Sequence, residues 1–126
     1  MAKRARKKRG GIKPIPCFNL EAGMPTLEEA KTTLTSLIET QRRQGAHVIK
    51  IIHGYGSSGE GGKLRFGLRH YLSQLQMRQS IKGWVAGEDL MTHANQRIPF
   101  MDIYPAIRSD PDFGHDNAGV TLIIIT

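Results

Sequence analysis

The octapeptide AHVIKIIH, residues 46–53, constrains the fold most strongly. Val48, Ile49, Ile51 and Ile52 are almost consecutive, whereas a strand with one wet face alternates apolar and polar residues. Such a strand is buried on both faces, so its sheet must be covered by other elements. Ile15 to Leu20 reads as a short first strand, Ile81 to Ala86 as a third, and Val120 to Ile125 as a fourth that ends the chain.

Two helical patterns separate the first three strands. Thr26 and Glu29 form a T-x-x-E capping box ahead of an apolar stripe, Leu27, Ala30, Leu34, Leu37 and Ile38, and Gly45 is placed to end that helix. Glu39 and Arg43 stand four residues apart and are expected to pair. Leu64, Leu68, Tyr71, Leu72 and Leu75 mark one face of a second helix. The order β-α-β-α-β-β predicts a small α/β sandwich on a mixed sheet. Residues 87–119 are polar, contain prolines and show no periodicity; Phe100, Ile103, Tyr104 and Ile107 are candidates to anchor them.

Charge divides the chain in two. Residues 1–13, MAKRARKKRGGIK, hold seven cations, among them Lys3, Arg4, Arg6, Lys7, Lys8 and Arg9, and no acid. The formal net charge is +7, so residues 14–126 are formally neutral, with eleven cations against eleven acids. The expectation is a disordered basic tail at 1–13 that meets phosphates by counterion release, and one folded domain at 14–126. The tail resembles the start of a signal peptide, but IKPIPCFNL, with a lysine and two prolines, is no apolar core for one. No stretch is long enough to span a membrane. Cys17 is the one cysteine, which excludes an internal disulfide and makes a reduced, cytoplasmic location the expectation.

Between the second strand and the second helix lies GYGSSGEGGK, residues 54–63. A phosphate-binding P-loop would need glycine where Ser57 stands and a hydroxyl where Leu64 stands. Gly54, Gly56 and Gly59 do match the G-x-G-x-x-G dinucleotide fingerprint. However, they follow the second strand of a small domain, and the ribose-binding acid about twenty residues on is absent, Glu88 and Asp89 being nearest. A dinucleotide-dependent enzyme is therefore the remote reading. The favoured one is a cradle for a nucleic-acid backbone. Lys63 and Arg65 open the second helix, where the helix dipole disfavours cations unless an anion is bound, and Arg69 is expected to extend that basic face. His53 is placed to donate to phosphate or to act as general acid or base, and Tyr55 to stack on a base.

The other polar groups carry less. Asp110, Asp112 and Asp116 with Gly114 make a poor calcium loop, interrupted by Pro111, and read as a solvated turn. His47, His70, His93 and His115 lack metal-ligand spacing, His70 reads as a helix-surface residue, and Trp84 reads as core. No metal and no cofactor are expected.

His53-Gly54-Tyr55-Gly56 resembles the HGxG signature of the Smr (small MutS-related) domain family. Thr26–Ala30 (TLEEA) and Asn117–Thr121 (NAGVT) match further landmarks, and the resemblance runs over about residues 15–126. It implies a fold similar to the C-terminal domain of bacterial translation initiation factor three. It also implies binding of DNA or RNA, with ribosomes among the partners of some members and endonuclease activity in several. Active members carry L-D-x-H near the start of the domain, where this chain has Phe18-Asn19-Leu20-Glu21. Asn19 replaces the acid and Glu21 the histidine, which leaves Glu21 with His53 as the candidate catalytic pair.

If the seven tail cations meet phosphates, removing residues 1–13 flattens the dependence of log affinity on log salt. An unchanged slope would show that the tail takes no part.

Overall fold

The computed structural model describes residues 14–54, 61–90, 106–107, 110–113 and 117–126. Strand β1 (Cys17–Asn19) leads into helix α1 (Leu27–Arg43), strand β2 (Val48–Ile52), helix α2 (Gly61–Met77) and strand β3 (Gly83–Ala86). A short 3-10 helix, Gly87–Leu90, and strand β4 (Val120–Ile124) follow.

The four strands form one mixed sheet in the order β1-β2-β4-β3. β1 runs parallel to β2, pairing Cys17 with Lys50 and Asn19 with Ile52. β4 is inserted antiparallel between β2 and β3, so that Ile52 faces Val120 and Ala86 faces Thr121. The C-terminal ends of β1, β2 and β3 and the start of β4 therefore share one end of the sheet. Both crossovers, β1-α1-β2 and β2-α2-β3, step the same way across the sheet, and right-handed connections then place both helices on the same face.

Alternation along β2 and β4 sorts the core into two layers. Ile49, Ile51 and Ile123 pack under the helices against Leu34, Ile38, Leu68 and Leu72. Val48, Leu122, Ile124 and Val85 point the other way, where Ile15, Leu90 and Ile107 cover them. β2 is thus buried on both sides, as its composition requires.

Local signals account for the helix ends. Thr26 Oγ1 accepts from the Glu29 amide at 3.1 Å, and Glu29 Oε1 accepts from the Thr26 amide at 2.8 Å. Gly45 has φ +86°, its amide donates to Arg42 O, and the Ala46 amide donates to Gln41 O, which together close α1 as a Schellman motif. Glu39 pairs with Arg42 rather than with Arg43. Arg42 is held because its second guanidinium nitrogen also donates to Ser80 O, just past the end of α2.

Residues 87–119 carry structure that periodicity does not reveal. The 3-10 helix directly extends β3, and Gly87 lies so close to the returning chain that a β-carbon there would sit 2.0 Å from Asn117 O. Ile107 is fully buried against the second face, as an anchor should be; Phe100, Ile103 and Tyr104 lie outside the described residues.

Asp110 and Asp112 are not a solvated turn; Gly114 and Asp116 lie outside the described residues. Lys50, in the middle of β2, points to the second face, and its ammonium donates to Asp110 at 2.8 Å and Asp112 at 2.7 Å. Asp112 also accepts from the Asn117 amide nitrogen at 2.9 Å, and Asp110 from the Asp112 backbone at 3.0 Å. Burial pulls the Lys50 pKa down, but the bonds to both carboxylates outweigh it and leave the pKa raised. Every carboxylate oxygen in the cluster has a donor, the condition under which a buried ion pair is tolerated.

Removing one partner should be costly. Lys50→Met strands two carboxylates, and urea unfolding should show a loss of about 3–5 kcal/mol. A loss below about 0.5 kcal/mol, the size of an ordinary surface substitution, would show that the cluster is solvated after all.

Candidate functional site

The shared end of the sheet holds Asn19, Glu21, His53 and Gly54, with Arg69 reaching it from α2. After β1, Asn19 Oδ1 accepts from the amides of Glu21 at 2.9 Å and Ala22 at 3.2 Å. Asn19 is therefore a turn former, and this turn directs Glu21 inward across the sheet end. The Glu21 carboxylate lies against Gly54: a β-carbon there would sit 2.2 Å from Oε2, and Gly54 has φ +85°, which disfavours any side chain. Glu21 is thus a neighbour of Gly54, the residue after His53.

His53, however, is not presented to solvent. Its ring is fully buried, with Nδ1 3.0 Å from Gly54 O and Nε2 2.8 Å from Thr121 Oγ1. A carbonyl only accepts, so Nδ1 carries the proton. Burial first, then the charges of Arg69 and Arg65, lower the pKa to about 4 against the hydrogen bond to Gly54, so the imidazole is neutral at pH 7 and Nε2 is an acceptor. The Thr121 hydroxyl donates to it. Both ring nitrogens are engaged, and neither is left to hold a phosphate or to take a proton from a nucleophile.

Thr121 Oγ1 also accepts from Arg69 Nε at 2.9 Å. The rest of the Arg69 guanidinium forks onto Glu88 at 2.9 and 2.8 Å and donates to Val120 O at 3.1 Å. Arg69 is only 8% exposed, so it does not extend the basic face as its spacing from Arg65 suggests. It turns into the sheet end because Glu88 and the start of β4 supply acceptors for its fork. Burial raises the Glu88 pKa, but the hydrogen bond from Arg69 outweighs it and holds the carboxyl below its ordinary value. The amides of His53 and Gly54 both donate to Gly119 O, at 3.0 and 3.1 Å, which completes the link between β2 and β4.

What remains exposed is the start of α2. Its first turn contains no acid, whereas that of α1 has Glu28 and Glu29. Lys63 is exposed and Arg65 half-buried, with no hydrogen-bond partner for Arg65 Nε among the described residues. The Arg65 guanidinium lies 4.4 Å from the centroid of the Phe66 ring, and Phe66 is 61% exposed. Tyr55, Gly56, Gly59 and the cations of residues 1–13 lie outside the described residues. Among the described residues no group of three or more His, Cys, Asp or Glu is arranged to hold a metal, and no helix is long and apolar enough to cross a membrane. His70 is exposed on its helix, and Trp84 packs against the core with Nε1 donating to Ser73 Oγ at 3.1 Å.

Thr121, Glu88 and Phe66 were not legible as site residues. One signal pointed to Thr121: a single hydroxyl within the apolar run VTLII must find a partner if the strand is buried.

The buried imidazole makes stability depend on pH. The folded pKa of about 4 lies below the ordinary 6.5, so the unfolded chain binds the extra proton. The stabilisation is complete above pH 6.5 and is lost as pH falls towards 4, by on the order of 3 kcal/mol. Chemical denaturation across this window should show the slope, and His53→Asn should remove it. Stability that stays level over the same range would contradict a neutral, buried His53.

The sequence profile of the Smr domain family matches residues 22–88. Among solved structures, the crystal structure of the Smr domain of Thermus thermophilus MutS2 is similar, with a TM-score of 0.55 at 18% identity, over 89% of this chain and 99% of that one. A comparison with curated proteins finds no match. The four-stranded mixed sheet with its antiparallel β4 is also not the doubly wound parallel sheet on which the dinucleotide fingerprint operates. With the profile covering more than half of its residues, the chain belongs to the Smr domain family.

Proposed function

We propose that this protein binds nucleic acid, holding the phosphate backbone at the end of the sheet where α2 begins. The observation that carries this reading is the exposed start of α2: Lys63 and Arg65 with no acid in the first turn. Cations there oppose the helix dipole, and an anion at the same end removes the conflict. The acid Glu88, at the same end of the sheet, is paired with Arg69 at 2.8 Å. The backbone of the HGxG loop and the basic residues of the tail are further contributors in this reading. Family membership supports it, since Smr domains act on nucleic acids.

Glu21 supports a second reading, cleavage of the strand. Its carboxylate is exposed and lies against Gly54, where it could activate a nucleophile. Against it stand Asn19, spent on a turn, and His53, with both nitrogens engaged. Binding without efficient cleavage follows as the principal function.

Lys63→Ala with Arg65→Ala should weaken binding of labelled RNA or DNA about tenfold or more and lower the salt slope by about two, with thermal stability unchanged. A steep fall in stability would mean that the two cations are structural. Single-turnover assays on RNA and on supercoiled DNA should show little cleavage. The informative variant is Glu21→Gln, because His53→Ala empties a buried site. Robust cleavage abolished by Glu21→Gln would make the protein a nuclease.

A further inference from the structure

We propose that Phe66, with the Arg65 guanidinium stacked on it, is a platform for an unpaired nucleobase, so that the ligand of this end of the molecule is single-stranded rather than duplex nucleic acid. The inference rests on the nucleic-acid reading above and adds the class of substrate.

The buried face of α2 is Leu64, Leu68, Leu72 and Leu75, and Phe66 stands on the opposite face. One exposed phenylalanine is unremarkable in itself. Its surroundings give it a use. The Arg65 guanidinium lies 4.4 Å from the ring centroid, which holds the ring in place by a cation–π contact while 61% of the residue remains open. One turn earlier stands Gly62, where a β-carbon would come to 4.0 Å from the Phe66 ring, so no side chain from that position covers it. Lys63 is exposed three residues before Phe66, and the Arg65 Nε lacks a hydrogen-bond partner among the described residues.

A nucleotide is a flat π-system joined to an anion, and this surface is a flat π-system joined to cations. Bases in a duplex are already stacked on each other and show only their edges, so a ring on a convex helix surface can stack only on an unpaired base. A protein partner would need a broader apolar patch. The other exposed apolar residue of α2 is Met77, eleven residues on, or about 16 Å along the helix axis. The two do not form one surface.

The test is binding of the full chain to oligo(rU), oligo(dT) and a blunt DNA duplex of the same length. Phe66→Ala should weaken both single strands about tenfold, leave the duplex unchanged and leave the salt slope unchanged, since stacking releases no counterions. Phe66→Trp should restore binding, with its fluorescence quenched by the single strand, whereas Phe66→Leu, which keeps apolar area without a π face, should not. Equal losses on strand and duplex, no loss at all, or full rescue by Phe66→Leu would overturn the platform and leave the nucleic-acid reading standing. Absence of wild-type binding to all three probes would overturn both.

Discussion

One hydroxyl group ties one end of the sheet together. Thr121 Oγ1 accepts from Arg69 and donates to His53, so a single oxygen on β4 joins the end of β2 to the middle of α2. Arg69 then extends the link to Glu88, just after β3, through a two-pronged ion pair. Losing the hydroxyl would leave a buried ring nitrogen and a buried guanidinium nitrogen unsatisfied, at about 1–3 kcal/mol each. The same chain of bonds fixes the protonation state of His53, and His53 and Gly54 hang from Gly119 O by their amides. These bonds tie the ends of β2 and β4 to α2.

The opposite face of the sheet has a comparable device. Lys50 would be an expensive residue in the middle of a buried strand if Asp110 and Asp112 did not meet it. Its partners precede β4 in the chain, so the ion cluster holds Asp110 and Asp112 at this face, where Ile107 packs with Val48, Leu122 and Ile124.

The strands and helices were legible because their signals are local. The apolar run of β2, the capping box at Thr26 and the glycine at 45 each act within one turn or one strand, and each appears where expected. What was not legible depends on partners distant in sequence. Arg69 and Arg65 look alike at four-residue spacing, yet one is claimed by Glu88, nineteen residues away, and the other stays at the surface. Glu39 has Arg42 and Arg43 within reach on the helix, and the choice follows from Ser80 O in another element. Asp110 and Asp112 read as polar turn residues until Lys50, sixty residues earlier, is placed opposite them. His53 was legible in position but not in chemistry, since its neutral, buried state is set by Thr121.

In the proposed function nucleic acid meets the protein at one end of its sheet, over the start of α2 and beside the His53–Thr121–Arg69–Glu88 chain of hydrogen bonds. Amide chemical shifts followed by NMR during titration with a short single strand test this most directly. The account predicts that the described residues affected are those at Glu21, His53–Gly54, Lys63–Phe66 and Asn117–Gly119, with Lys50, Ile107 and Asp110 unmoved. Shifts centred on the Lys50 face, or on the outer face of α1, would contradict it.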